Sequence, residues 1–228
     1  MGLSTVRRRS YVKTLVPLVL VAGLLLGFFF GLQFILNTPT PLRVVESGSM
    51  CIPHDGACDG WLSLTHPFEP TLHKGDILII QGVDPKDLNT DYPNSDIIVY
   101  KKPNNPTDTP VVHRIVSSYE VNGTLYFQTK GDGNGTPWPA PVDPSQYDSN
   151  SGIILTGGEG VPANLVEGRV VMRIPFFGWI TLVLRGNIWV IPLIIVLTIV
   201  LLAFEFIKPL LTHKQNQVPN PTVEAMKS

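Results

Sequence analysis

Residues Pro110 to Asp132 read PVVHRIVSSYEVNGTLYFQTKGD. Two runs rich in β-branched and aromatic residues, 110–121 and 124–131, flank Asn122-Gly123, a dipeptide suited to the positive φ angles of a tight hairpin turn. The pair reads as an antiparallel hairpin. Alternation places Val112 and Arg114 on one face of the first strand, and His113 with Val111 and Ile115 on the other. A histidine on an apolar strand face has to be partnered or poised for chemistry. Taken alone, it reads as a satisfied core histidine.

The same pattern extends to both sides. DILIIQGV (76–83), DIIVYKK (96–102) and EGRVVMRI (167–174) are further short strands. Clusters of Asp, Asn, Gly and Pro separate them, among them DPKDLNTDYPNSD and GDGNGTPWPAPVDPSQYDSNSG. Short strands between such turns predict a mostly β domain, antiparallel and barrel-like or mixed-sheet. RIPFFGWITLVLRGN (173–187) is apolar but broken by Pro175, Gly178, Arg185 and Gly186. Its aromatic residues suit either a headgroup layer or a core strand.

Beyond the β region the chain is strongly apolar. Residues 15–36 carry no charge, and 188–207 carry only Glu205. Each run is long enough to cross a hydrocarbon core about 30 Å thick. The basic start (Arg7, Arg8, Arg9, Lys13) suits a secretory leader, but the apolar core is too long and ILNTPTPL has no small-x-small site. An uncleaved anchor is expected. Basic flanks at both ends put both tails in the cytoplasm. The expected organisation is a cytoplasmic N-tail (1–14), a membrane helix (15–36), an extracytoplasmic β domain (37–187), a second membrane helix (188–207) and a cytoplasmic C-tail (208–228), multi-pass in the cell membrane. The outer segment holds 10 Lys/Arg against 16 Asp/Glu. An acidic face excludes nucleic acid as a partner.

The chain has two cysteines, Cys51 and Cys58. An oxidising exterior and their short separation favour a disulfide; two free thiols are the alternative. His54, Asp55, Asp59 and His66 lie near them, but no zinc spacing is matched and no cofactor is expected. Asn122-Gly-Thr and Asn134-Gly-Thr are glycosylation sequons. Just past the first apolar run comes Glu46-Ser47-Gly48-Ser49-Met50. Alone, such a string is a turn.

Taken together, SGSM, EPTLHKGDILII, DIIVYKK, VVHRIV and FQTKGD occur in one order outside a membrane anchor. This resembles the type I signal peptidases, specifically their archaeal and endoplasmic-reticulum branch, over roughly Leu15 to Leu184. The resemblance implies a serine endopeptidase that cuts exported preproteins after small residues, with membrane lipid and translocon or peptidase-complex subunits as further partners. It makes Ser49 the nucleophile, His113 the base and Ser47 an oxyanion donor. Bacterial relatives carry lysine in place of the histidine. The chain departs from the pattern twice. Residues 51–68 interrupt SGSM-x-P as an 18-residue insertion, which forms either a wall of the substrate cleft or a tolerated surface loop. The acid is expected a few residues beyond Lys130-Gly131-Asp132-Gly133-Asn134. It is assigned to Asp143, with Asp148 as the fallback and Asp132 as a structural or supporting member of the site. A membrane-anchored, non-catalytic β module for adhesion or assembly is the competing reading.

Overall fold

The computed structural model describes residues 3–52, 71–103, 105–148, 154–155, 158–187 and 189–215. A long helix, α1 (Leu3–Ile35), precedes the strands β1 (Leu42–Val44), β2 (Ile77–Gln81), β3 (Ile97–Tyr100), β4 (Val111–Val121), β5 (Thr124–Lys130), β6 (Ile154–Leu155), β7 (Gly158–Glu159), β8 (Val161–Pro162) and β9 (Val166–Ile174). Helices α2 (Gly178–Gly186) and α3 (Val190–Gln215) follow. Seven strands form one antiparallel sheet in the order β1-β2-β9-β3-β4-β5-β8, and β6 pairs with β7 separately.

The hairpin expected at Asn122-Gly123 is β4–β5, with φ of 50° and 77° at the two turn residues. All five expected strands are present. The expectation missed β1, which directly follows Pro39 and Pro41, and β6, β7 and β8. Each has only two or three residues, too few for alternation to register. Segment 173–187 is not one element: Arg173 and Ile174 end β9, Phe176 has φ 66°, and α2 starts at Gly178. Pro175 supplies no N–H to extend the ladder, so β9 ends at Ile174.

Both faces of the sheet centre are covered. β3 contributes Ile97 and Val99 to one apolar cluster, with Val45, Met50, Leu72, Leu78 and Ile80. Its alternate residues Ile98 and Tyr100 join a second cluster, with Leu88, Ile115, Phe127 and Val161. Register shifts at Ile79/Ile80 and Val99/Tyr100, where β9 meets β2 and β3, bend the sheet. Gly168 sits between them with φ 155°. A Cβ there would stand 2.4 Å from the Gln81 carbonyl oxygen, so glycine is required.

Of the described residues, Val16–Ile35 within α1 is apolar and long enough to cross a membrane. The second apolar run forms α3, which meets that test only when α2 and the start of α3 are taken together as one bent span. At its C-terminal end α1 closes on Asn37, whose φ of 49° is left-handed. The Thr38 N–H donates to Gln33 O at 3.3 Å, the long-reach bond of a Schellman cap.

Candidate active site

The Ser49 turn is fixed from below. Met50 is 1 % exposed and plugs the first apolar cluster. Cys51 N–H donates to Gly48 O at 2.9 Å, closing the turn, and Gly133 N–H donates to Ser49 O at 2.9 Å. The loop 130–134 lies against this turn so closely that a Cβ on Gly131 would be 2.4 Å from Ser49 O, and one on Gly133 would be 2.0 Å from Cys51 O. The glycines of Lys-Gly-Asp-Gly-Asn thus permit backbone-to-backbone contact. Lys130 holds the loop from inside, its ammonium donating to Gly131 O at 3.0 Å and Thr136 O at 2.7 Å. Burial pushes that ammonium down from its ordinary range, against the pull of Asp132 and Asp148.

His113 is 7 % exposed. It lies opposite Ile98 on β3, on the face of Tyr100, Ile115 and Phe127, as alternation predicted. Its Nε2 is 2.9 Å from Ser49 Oγ, and its Nδ1 is 2.5 Å from Asp148 Oδ2. Asp148 Oδ2 also accepts from Thr129 Oγ1 at 2.9 Å, and Thr129 Oγ1 is 3.0 Å from the Tyr100 hydroxyl. A carboxylate only accepts. Thr129 and His113 Nδ1–H therefore both donate to Asp148, and the Tyr100 hydroxyl is in hydrogen-bond contact with both Thr129 and Asp148. Nε2 is left with its lone pair toward the Ser49 hydroxyl. Burial and the Asp148 charge push the Tyr100 hydroxyl above its ordinary range, so it stays a neutral donor. Ser47 Oγ lies 3.2 Å from Ser49 Oγ.

Asp143 is not brought to His113. Its side chain caps the short 3-10 turn Pro144–Gln146, accepting from Ser145 N–H at 2.8 Å. Hydrogen bonds from the Ser145 hydroxyl and then its backbone N–H hold the exposed Asp143 carboxyl below the usual range. The acid position beside His113 belongs to Asp148, because the turn spends three more residues before Asp148 N–H pairs with Thr129 O at 2.9 Å. The signal was in the sequence: Asp-Pro-x-x is an N-cap with proline at the first helical position. Asp84-Pro85-Lys86-Asp87 folds the same way, Asp84 accepting from Lys86 N–H.

Asp132 does not hydrogen-bond His113, although the two are close enough to interact electrostatically. It is bound in a fork by Arg114, Nε to Oδ1 at 2.8 Å and NH2 to Oδ2 at 2.8 Å. NH1 donates to Ser95 O at 2.9 Å, and the guanidinium sits 5.0 Å from the Trp138 ring centre. Burial pushes the Asp132 carboxyl up, against the downward pull of Arg114. Asp132 therefore fixes the strand and loop beside the histidine. Trp138 is held in turn by its Nε1–H bond to Pro93 O at 2.8 Å. Thr129 and Tyr100 were missed in the sequence. The signal that singled out His113 applied to Thr129 as well, a polar residue two positions from Phe127 on an apolar strand face.

Cys51 is disulfide-bonded. Its expected partner Cys58, and nearly all of the 51–68 insertion, lie outside the described residues. Ser49, His113 and Asp148 open on a cleft of about 420 Å³. Val44, Val45, Glu46 and Ser47 line one wall, and Thr109, Pro110, Val111 and Val112 the other. β5 ends at Lys130 opposite Arg114, so among the described residues Val111–His113 have a strand partner only in β3. β1 is the last strand on its side of the sheet. Four antiparallel steps separate β1 from β4, so the two run parallel, both toward the serine and histidine.

No family profile matches the chain. It is similar to the signal peptidase complex catalytic subunit SEC11 of Leptosphaeria maculans, 29 % identical over 190 residues that cover 83 % of this chain and 89 % of the relative. The proteins of the same name from Chaetomium globosum and Verticillium alfalfae are 28 % and 27 % identical over 171 residues, covering 73 % of this chain and 79 % of each relative.

Proposed function

We propose that this chain, which belongs to the type I signal peptidases alongside the catalytic subunits of signal peptidase complexes, is a membrane-bound serine endopeptidase that removes signal peptides with Ser49, His113 and Asp148. The observation that carries the residue assignment is the continuous hydrogen-bond line from Asp148 through His113 to Ser49 at the floor of a cleft.

The reaction follows from that line. The Ser49 hydroxyl attacks the scissile carbonyl carbon while its proton passes to His113 Nε2. Asp148 holds the ring by Nδ1–H and offsets the charge of the imidazolium. The negative oxygen of the tetrahedral intermediate is stabilised by the Ser49 backbone N–H and the Ser47 hydroxyl. His113 then protonates the leaving amine, the C–N bond breaks, and the acyl group remains on Ser49. Water, deprotonated by His113, releases the signal peptide. The substrate enters extended between the free edges of β1 and β4, adding main-chain hydrogen bonds to both walls. Val44, Val111 and Val112 present branched apolar surface next to the serine, which favours small apolar side chains before the cut. The apolar helix α1 and its relatives' membership of a peptidase complex support action at a membrane beside partner subunits.

The test is cleavage-site mapping. Full-length protein in membranes is given a precursor whose residue before the cut is Ala, Ser, Leu or Asp, and the new N-terminus is sequenced. Cutting after Ala and Ser but not Leu or Asp supports the reading. Equal cutting after all four removes the specificity claim.

A further inference from the structure

The second apolar cluster joins Leu88, Ile98, Ile115, Phe127 and Val161, with one phenol among them. Tyr100 is fully buried there. A hydroxyl in such surroundings costs free energy unless it is hydrogen-bonded, and phenylalanine would fill the same space without that cost. The hydroxyl is engaged. It lies 3.0 Å from Thr129 Oγ1 and also contacts the Asp148 carboxylate. Tyr100 faces Val111 across β3–β4, and Thr129 faces Ile115 across β4–β5. His113 stands midway between those two residues of β4, so the bond from Tyr100 to Thr129 crosses the strand beside the base.

Asp148 needs such support, because among the described residues it belongs to no strand. Its N–H pairs with Thr129 O at 2.9 Å, and Thr129 Oγ1 donates to the same Oδ2 that receives His113 Nδ1–H. Thr129 thus ties the acid to the sheet, and Tyr100 is bonded to Thr129 in turn. The backbone at Tyr100 is irregular. Where β3 meets β9, Val99 pairs with Gly168 but Tyr100 pairs with Val166, leaving Glu167 as an extra residue. A bulge of this kind re-aims the side chains next to it. The ladder resumes at Lys101, whose N–H donates to Leu165 O at 2.9 Å.

We propose that Tyr100 is a positioning residue of the peptidase, holding Asp148 in line with His113 through Thr129 and sharing the carboxylate's charge so that the base is free to take the serine proton. The inference rests on the peptidase reading above. Its new content is that a fully buried phenol, which no substrate touches, sets rate and pH dependence. The sign follows from the charge, because each donor to a carboxylate disperses its negative charge. Without the phenol, Asp148 holds the imidazolium more tightly, and the acid limb of the kcat/KM profile moves to higher pH. The other charged groups around the pair are Lys130 at the end of β5, Asp132 in the loop after it, and Arg114 on β4, forked onto Asp132. Glu46 and Lys102 line the cleft. Removing the phenol changes none of them.

The experiment is steady-state cleavage of an Ala-x-Ala precursor across pH by full-length protein in membranes. Tyr100→Phe keeps the ring and removes the hydroxyl. Phe127→Leu loosens the same cluster without touching the hydrogen-bond line and serves as the packing control. Tyr100→Phe should lower kcat about three- to tenfold with KM unchanged, and raise the acid limb by roughly half a unit to one unit. Phe127→Leu should lower the thermal midpoint and leave the limb in place. Combined with Thr129→Val, Tyr100→Phe should cost less than the product of the two single effects, because both act on one carboxylate. Full multiplication would overturn the route through Thr129. Should Tyr100→Phe fail to fold, Tyr100→Met, apolar and adaptable in shape, carries the same test. A folded Tyr100→Phe with wild-type kcat and an unmoved limb overturns the proposal, as does an equal shift in Phe127→Leu, and either leaves the peptidase reading standing. A wild type that leaves the precursor uncut removes both.

Discussion

Replacing Asp148 by Asn separates the two candidate acids. The carboxylate accepts from His113 Nδ1 at 2.5 Å and from Thr129 Oγ1 at 2.9 Å. An asparagine of the same shape offers only one acceptor oxygen. His113 and Thr129 share Oδ2, so when the amide N–H₂ takes that place it meets Nδ1 and the Thr129 hydroxyl together, and the ring must put its proton on Nε2. Nε2 then faces Ser49 as a donor and cannot take its proton. A wrong-tautomer base of this kind costs on the order of 10⁴ in kcat, about 5.5 kcal/mol of transition-state stabilisation. Binding should change little, because the substituted side chain keeps the shape of the cleft. Asp143→Asn makes the opposite case. Its carboxyl is exposed and engaged with Ser145 N–H, and Asn caps such turns as well as Asp does. Its kcat should stay within about twofold of wild type. The assay is single-turnover cleavage of an Ala-x-Ala precursor by membranes matched for enzyme content, with thermal unfolding of the detergent-extracted variants as the folding control. A folded, inactive Asp143→Asn beside an active Asp148→Asn would refute the assignment.

Three other substitutions test the surrounding geometry. Thr129→Val removes the second donor to Asp148; a hydrogen bond to a charged group is worth about 1.5–3 kcal/mol, so kcat should fall roughly tenfold to a hundredfold with KM unchanged. Asp132→Asn leaves the Arg114 guanidinium without its buried countercharge; breaking such a pair costs about 3–5 kcal/mol, to be read as a lowered thermal midpoint, while the fraction that remains folded keeps far more activity than Asp148→Asn. Gly133→Ala drives a methyl into Cys51 O and strains the Gly133–Ser49 backbone bond; misplacing the nucleophile should cost on the order of a hundredfold in kcat, and a wild-type rate would show that the loop does not support the serine.

The hairpin at Asn122-Gly123 was legible because its alternation runs over seven to eleven residues, and β2, β3 and β9 because their β-rich runs of four to nine residues are bounded by turn clusters. The same alternation placed His113 on the inner face opposite Ile98 and beside Ile115. β1 was not legible, because its three residues follow Pro39 and Pro41 and owe their extended form to pairing with β2. Distance along the chain pointed to Asp143, which the structure does not bring to His113. Asp143 lies nearer the Lys-Gly-Asp string, but local capping by an Asp-Pro turn competes for its side chain and wins. Asp148 reaches the histidine only because its own N–H joins the edge of β5 at Thr129, a long-range contact that no short motif encodes. Asp132 stood in a motif and was read as a structural or supporting member of the site. Its partner Arg114 sits one residue from the histidine, and the pair's forked geometry shows a bracing role.

The central claim is that Ser49, activated by His113, cuts a preprotein. It is tested most directly by incubating full-length wild type, Ser49→Ala and His113→Ala in membranes with one secretory precursor and following the mature product over time. The account predicts processing by wild type and loss on the order of 10⁵- to 10⁶-fold in both variants, because each residue removes the same step. Processing by Ser49→Ala at a rate near wild type would contradict it.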